Sequence, residues 1–246
     1  MKKSLLVSFA LTLALPASTV FAQPSTPVAP DVHKWDDGAS LAISDDLYTA
    51  GGDVYLQTAV RGDSFVAGGT VSVTERTGKD LHAAGGTIVV DAPVGDDVRI
   101  AGGTITISAP VAGDVLIMGG KVHLTKDATV GGDLYVFGGS VKVDGSVRGA
   151  VRIEADDVEI AGTLNGPADI RTMHAVISGN VMGDTRLAAQ RISVGEKALF
   201  GGNLRYWQLA GPLQLGTKAK GQAVFDMNLQ RKVPDSDEGK NALPAF

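Results

Sequence analysis

With 246 residues, a formal net charge of −5 and 22 basic side chains, the chain offers no basic surface for nucleic acid. It contains no cysteine, so stability must come from core burial and backbone ladders, without disulfides. Thirty-two glycines against two tryptophans indicate many tight corners and a core of small, uniform side chains.

The first 22 residues have the pattern of a secretory signal peptide. Lys2 and Lys3 precede an apolar stretch, residues 5–15, which is too short to span a bilayer comfortably. Small residues end the segment at Ala22, so we predict cleavage there and export to a periplasmic or cell-envelope location. An uncleaved membrane anchor is the alternative interpretation.

Two further segments flank the repeats. Residues 23–44 begin with three prolines among serine and threonine, and they are predicted to form an extended linker and an N-terminal cap. Residues 226–246 are charged, contain Pro234 and lack the repeat, so we predict a disordered tail there. The repeat domain itself is predicted over residues 45–225.

A 17-residue period runs through that domain, with two units of 19 residues. A fixed period of this length is the signature of a solenoid. The period is marked by an acidic or small residue that follows a corner: Asp46, Asp63, Asp80, Asp97, Asp114, Asp133, Ala150, Pro167, Asp184 and Asn203.

Within each unit, apolar and polar residues alternate on both sides of a Gly-Gly pair, as residues 97–107 show. Alternation at period two is typical of half-buried strands, and a third apolar position closes the unit. We therefore predict three short strands and three corners per coil. The predicted fold is all-β, a single-domain parallel β-helix of about ten coils with 17–19 residues each.

Stacked coils should bury two continuous columns, one from Val54 to Ile192 and one from Leu56 to Val194. β-branched residues dominate both columns, as a narrow pleated core favours. The Gly-Gly pair is absent from the later units, where Ala155, Thr172 and Ala189 take the first position. This predicts a change of cross-section near residue 150.

One column of carboxylates is the candidate chemical site. Stacked about 5 Å apart, such residues repel one another by on the order of 1 kcal/mol per neighbouring pair in a water-like dielectric, which a cation such as calcium would relieve. The favoured interpretation is structural: each carboxylate accepts backbone N–H bonds at its corner, as in an Asx-turn. We therefore predict no metal site and no cofactor. The column comprises Asp46, Asp63, Asp80, Asp97 and Asp114.

The remaining chemistry-bearing residues do not converge. The four histidines fall on different coils and share no column, and short uniform corners leave few loops for an active site. We predict that the protein is not an enzyme. A glycan-binding surface needs an exposed aromatic column, and the aromatic residues are interpreted as scattered: Tyr48, Phe65, Tyr135, Tyr206 and Trp207.

The repeated Gly-Asp-Val/Leu-x-Val/Ile and Gly-Gly-x-Val-x-Val patterns, over about residues 45–211, resemble the bactofilins, which are bacterial polymer-forming cytoskeletal proteins. The resemblance implies a right-handed, three-sided β-helix and self-assembly into filaments without a nucleotide, often at a membrane. An unpaired strand edge at the end of the helix gives a physical route to such assembly. In the last regular coil, Leu204, Tyr206 and Trp207 are the predicted contact residues.

These inferences predict a non-enzymatic structural or scaffold protein of the cell envelope that self-associates through its β-helix. Its predicted partner is a second copy of itself, with envelope or membrane components as further partners and with neither nucleic acid nor nucleotide. The alternative is an exported adhesin or glycan-binding β-helix module.

Overall fold

A computed structural model gives the fold, and it describes residues 42–232. Each coil contributes one long strand, and ten residues is the usual length. The long strands are β2 (Leu47–Leu56), β4 (Ser64–Val73), β5 (Leu81–Val90), β6 (Val98–Ile107), β8 (Val115–Leu124), β10 (Leu134–Val143), β12 (Val151–Ile160), β14 (Ala168–Ile177), β16 (Thr185–Val194), β18 (Leu204–Trp207) and β19 (Ala223–Phe225).

A two-residue strand follows most of the long strands and lies on another side of the solenoid. These short strands are β1 (Ala42–Ile43), β3 (Ala59–Val60), β7 (Pro110–Val111), β9 (Thr129–Val130), β11 (Ser146–Val147), β13 (Thr163–Leu164), β15 (Asn180–Val181) and β17 (Leu199–Phe200).

Every strand pairs in parallel with its counterpart in the next coil. The long strands form an eleven-stranded sheet in the order β19-β18-β16-β14-β12-β10-β8-β6-β5-β4-β2, and β17 to β7 form a six-stranded sheet. Strand β1 pairs with β3, and single bridges through Thr77 and Val94 join that pair to β7. The predicted all-β parallel solenoid is confirmed, with about eleven turns.

The two predicted core columns are also confirmed. Val54 pairs with Val71, and the same register continues coil by coil to Ile192. The column from Leu56 runs in the same way, and it is buried until Val194, which is half-buried. Stacking of like residues at every coil makes the interior a continuous apolar rod.

The Gly-Gly pair lies elsewhere than predicted. It does not separate two strands, because it falls in the middle of one continuous ten-residue strand. In β5 the buried residues are Leu81, Ala83, Ile88 and Val90, at strand positions one, three, eight and ten. The switch from odd to even positions requires a bend at Gly85, so each long strand covers two faces of the solenoid.

Close stacking explains why glycine stands at this bend. A Cβ atom built on Gly85 would lie 2.5 Å from the carbonyl oxygen of Gly68 in the preceding coil. From β12 onward the bend changes, and Ala155, Thr172 and Ala189 point inward and are buried. The predicted change of cross-section near residue 150 is therefore present in the structure.

The C-terminal end is closed by irregular chain. A 3-10 helix, Gly216–Lys218, lies in the loop before β19, and a second 3-10 helix, Met227–Lys232, follows β19. Its Leu229 is buried against Ala188 and Trp207. The predicted disordered tail begins at residue 226, whereas the ordered chain continues through this helix because Leu229 has an apolar site to fill.

The remaining predicted segments lie outside the described residues. These are the signal peptide, residues 1–22, most of the linker and cap, residues 23–41, and the last part of the tail, residues 233–246. Within residues 42–232, no helix has the length and apolar character needed to cross a membrane.

Candidate interaction surfaces

The candidate aspartate column forms a hydrogen-bonded ladder. The Oδ1 atom of Asp46 accepts the backbone N–H of Asp63 at 2.8 Å, and Asp63 accepts the N–H of Asp80 at 3.1 Å. The ladder continues past the predicted five residues, and near its far end Asn203 Oδ1 accepts the N–H of Gln222. Each donor N–H belongs to the next coil and not to the same turn, so these side chains link successive coils by hydrogen bonds.

The second carboxylate oxygen is also engaged where three acidic groups come close. Oxygens of Asp80, Asp96 and Asp97 lie within 4.8 Å of one another. Arg99 donates to Asp80 Oδ2 at 3.0 Å and to Asp97 Oδ2 at 2.8 Å. Burial alone would lower the pKa of Arg99, but its hydrogen bonds and charge contacts with both aspartates raise that pKa above its usual value. A cation is therefore not needed to relieve repulsion here.

The aromatic residues are not scattered at the N-terminal end, and that expectation was wrong. The rings of Tyr48 and Phe65 stack with 4.6 Å between centroids and 1° between planes. The ring of His82 stacks on Phe65 at 4.5 Å, again within 1° of parallel. All three occupy the second position of their long strands, which is the sequence signal that identifies them. We call Tyr48, Phe65 and His82 the ring ladder.

The geometry of the ring ladder limits what it can bind. A sugar stacks on the face of an aromatic ring, but here the inner faces cover one another and the edges point to solvent. One ring face in the ladder is open at its N-terminal end, that of Tyr48, whose side chain is 70% exposed. An extended polysaccharide therefore finds no row of ring faces.

A shallow apolar groove runs beside the ring ladder, with a volume of about 600 Å³. Its floor is made by the fourth residue of each strand: Ala50, Ala67, Ala84 and Ala101, which we call the alanine floor. Larger side chains close its far end. These are Leu116 and Met118, which are exposed, and the exposed Tyr135 and Phe137 follow them in the same two columns beyond the groove.

The two ends of the solenoid differ. At the N-terminal end, the outer edge of β2 pairs with no strand of residues 42–232. The Leu47 N–H donates to the backbone carbonyl oxygen of Asp63 in the next coil. Backbone groups of successive strand residues point to opposite sides, so those of Tyr48 and Ala50 point away from the next coil and toward the open end. Tyr55 and Tyr48 are both highly exposed along this edge.

At the C-terminal end, the predicted contact residues Leu204, Tyr206 and Trp207 are buried. Strand β19 pairs with β18, and the Tyr206 hydroxyl accepts the N–H of Leu213 at 2.9 Å. Contact with a second copy through these three residues would require the 3-10 helix Met227–Lys232 to move away.

An ion pair fastens this C-terminal cap. Asp226 binds the Arg205 guanidinium and accepts the N–H of Asn228 at 3.0 Å. The Asn228 backbone and the Arg205 guanidinium together hold the pKa of Asp226 below its usual value. The carboxylate is therefore ionised at neutral pH and keeps the start of the 3-10 helix in place.

The other histidines lie apart, as predicted for surface residues. His123 Nε2 lies 2.8 Å from Asp144, and His174 Nδ1 lies 2.9 Å from Asp157, on partly or fully exposed surface. His33 falls outside the described residues.

A continuous parallel solenoid with one apolar face, and with one strand edge that is unpaired within residues 42–232, is a structural repeat protein, in which each coil contacts its neighbours along one axis. Residues 122–223 match the family model of the bactofilins, described as polymer-forming cytoskeletal. The resemblance to this family seen in the repeats is confirmed over these residues. No curated protein and no solved structure matches the chain.

The family is structural and not enzymatic. Together with the fold, the match supports a self-associating structural protein.

Proposed function

We propose that the chain is an exported, non-enzymatic scaffold of the periplasm or cell envelope that assembles end to end through the outer edge of β2. The observation that carries this proposal is the outer edge of a ten-residue strand, Leu47–Leu56, which pairs with no other strand in the described part of the chain and ends the eleven-stranded sheet. A long strand edge with unpaired N–H and C=O groups is a template for pairing with another chain.

Pairing between two such edges would extend the interior as well as the sheet. The backbone groups of Tyr48 and Ala50 would find hydrogen-bond partners, since they face outward in a single copy. The open ring face of Tyr48 would be covered by the next copy, which continues the stacking already present between Tyr48 and Phe65.

The C-terminal end is less suited to the same role. Strand β19 has three residues, and the cap built on Leu229 and Asp226 covers the core beside it. Short, covered edges resist pairing with other chains. We therefore place the first contact between copies at β2, where it joins two copies head to head. A filament grows when the C-terminal ends of such pairs meet, which requires the 3-10 helix Met227–Lys232 to move away from the core residues Leu204, Tyr206 and Trp207.

Export and an envelope location are supported by the sequence of residues 1–22, with its basic start, short apolar stretch and small residues at Ala22. Cell fractionation of the full chain tests this part of the proposal. Recovery in the periplasmic or envelope fraction, with a chain shortened by about 22 residues, is the expected result. Recovery of an unshortened chain in the cytoplasm contradicts it.

The role of the β2 edge in assembly can be tested at Tyr55, whose side chain lies away from the groove. By the same alternation from Leu56, whose carbonyl accepts the N–H of Thr74 in the next coil, the Tyr55 N–H faces the open end. Tyr55→Pro removes that donor at an edge position that proline tolerates. Tyr55→Ala is the matched control, because it removes the same exposed ring and keeps the N–H.

In negative-stain electron microscopy of the purified full chain, we expect filaments from the native protein and from Tyr55→Ala, and none from Tyr55→Pro at the same concentration. Circular dichroism should show the same β-structure and the same melting temperature in both variants. Filaments of Tyr55→Pro that match those of Tyr55→Ala in number and length would overturn assembly through β2.

A further inference from the structure

We propose that two copies also pair side by side, with the ring ladder of one copy seated on the alanine floor of its partner. This inference rests on the proposed function, because it concerns filaments that have already formed end to end. It assigns the apolar face of the first six long strands to a second copy of the same chain.

The face consists of two parallel columns of outward side chains. The second strand positions form a raised ridge, and the fourth positions form the alanine floor beside it. Met118 and Phe137 stand at the end of the floor, 57% and 37% exposed. The ridge comprises Tyr48, Phe65, His82, Arg99, Leu116 and Tyr135.

The two columns themselves contain no carboxylate between β2 and β10. Arg99 is the one arginine or lysine in the two columns between β2 and β10, and Asp80 and Asp97 neutralise it within the same chain. His82 lies 3.9 Å from Asp80. From β12 onward the same two columns turn charged, with Arg152, Glu154 and Asp169, so the apolar face ends there.

The spacing of the face selects its partner. Ridge and floor both repeat once per coil, about every 4.8 Å. Another copy of this solenoid presents complementary groups at the same spacing between coils, and it does so over several coils. A two-fold axis parallel to the solenoid axis places the second position of each strand opposite the fourth position of the same coil in the partner. Phe65 of one copy then faces Ala67 of the other, and His82 faces Ala84.

The size of the face explains when pairing occurs. Six coils and two columns cover roughly 24 Å by 12 Å, or about 300 Å² per copy, from strand spacings alone. A stable complex usually buries about 800 Å² per partner. Isolated copies should therefore stay unpaired, whereas many such contacts in register along two filaments act together. Lateral pairing then follows end-to-end assembly.

The first test uses a charge placed on the floor. Ala84→Glu puts a carboxylate at an exposed position opposite His82 of the partner. Thr87→Glu is the matched control, because it lies on the same strand and is equally exposed, but on the other side of the bend at Gly85. In negative stain, we expect native and Thr87→Glu filaments to be two solenoids wide and Ala84→Glu filaments to be half that width.

The second test uses engineered cysteines, since the chain has none of its own. Filaments grown from an equal mixture of Phe65→Cys and Ala67→Cys copies should give disulfide-linked pairs on oxidation. Filaments of either variant alone should give several-fold fewer. Equal yields from the mixture and from the single variants would contradict the proposed two-fold arrangement.

Failure of this proposal is distinct from failure of end-to-end assembly. Tyr55→Pro removes filaments of any width if the edge of β2 is used, whereas Ala84→Glu should narrow filaments without shortening them. Native filaments one solenoid wide, or an unchanged width in Ala84→Glu, would overturn lateral pairing. Binding of phosphatidylglycerol vesicles that is lost in Ala84→Glu, with filament width unchanged, would assign the face to a lipid surface and would overturn it too.

Discussion

The ring of Phe65 stacks on the ring of His82 with 4.5 Å between centroids and 1° between ring planes, although the two residues are 17 positions apart in the chain. Phe65 stacks on Tyr48 in the same way on its other side. The period of the repeat therefore orders the exposed surface of the solenoid as well as its core.

This relationship predicts a stability effect from a partly exposed residue. Phe65→Ala removes two stacking contacts, each worth about 0.5–1.5 kcal/mol beyond burial, so the free energy of unfolding should fall by about 1–3 kcal/mol. Tyr55→Ala removes an exposed ring that stacks on no described ring and should change it by less than about 0.5 kcal/mol. Urea denaturation measures both, and equal effects would show that the stacking adds no stability.

A pair of glycine variants tests how closely the coils stack. Gly85→Ala places a Cβ atom 2.5 Å from the Gly68 carbonyl oxygen, so we expect a loss of about 1–3 kcal/mol from strain. Gly52→Ala meets no atom within 4 Å, and it should be neutral or stabilising by up to about 1 kcal/mol because alanine restricts the unfolded chain. Calorimetric melting of the two variants should separate them clearly. Equal melting temperatures would contradict the close approach.

The aspartate ladder makes a prediction that separates a structural role from cation binding. Asp63→Ala leaves the Asp80 N–H without its acceptor and should cost about 1–2 kcal/mol. Asp63→Asn keeps an Oδ1 atom, as Asn203 does naturally, and should be close to neutral. Chelator should leave the melting temperature of the native protein unchanged. A drop on chelation, or an Asn variant as unstable as the Ala variant, would support a cation in the ladder.

Acid should loosen the C-terminal cap. The folded-state pKa of Asp226 is lowered by the Asn228 N–H and by Arg205, so its ionised form stabilises the cap at pH values above the ordinary carboxyl pKa of about 3.9. That contribution is lost as the pH falls through the lower folded-state pKa. Fluorescence of the buried Trp207, measured in a Trp35→Phe background, should shift to the red in this range.

The control for the acid effect is Asp226→Asn, which cannot lose a proton. We expect its Trp207 emission to be red-shifted already at neutral pH and to vary less on acidification. An Asp226→Asn variant whose Trp207 emission equals that of the native protein at neutral pH would contradict the role given to Asp226.

Much of the fold could be predicted because two signals agree over eleven coils. The alternation of Val54 and Leu56 with polar neighbours fixes the inward face, and the 17-residue spacing fixes which residues stack. Alternation cannot distinguish a corner between strands from a bend within one strand, because both interrupt it. The Gly-Gly pairs were therefore misassigned, although the columns on either side were correct.

The interaction surfaces were harder to predict. The repeat pattern does not predict the ring ladder, because alternation identifies inward apolar positions and gives no signal for stacking between outward rings such as Phe65 and His82. The C-terminal cap was missed because Leu229 lies outside the repeat, and only the folded coil shows that Ala188 and Trp207 leave an apolar site for it. For the same reason, Leu204 and Tyr206 were assigned to an exposed end that the chain covers.

Hydrogen–deuterium exchange of residues 47–56, before and after assembly, tests the central claim most directly. In dispersed copies, the outward N–H groups of Tyr48, Ala50 and Tyr55 should exchange rapidly, because no described strand covers this edge. In sedimented polymers, the same peptide should gain protection at several amides while peptides from β8 to β12 stay unchanged. Polymers in which exchange of residues 47–56 is the same as in dispersed copies would contradict assembly through β2.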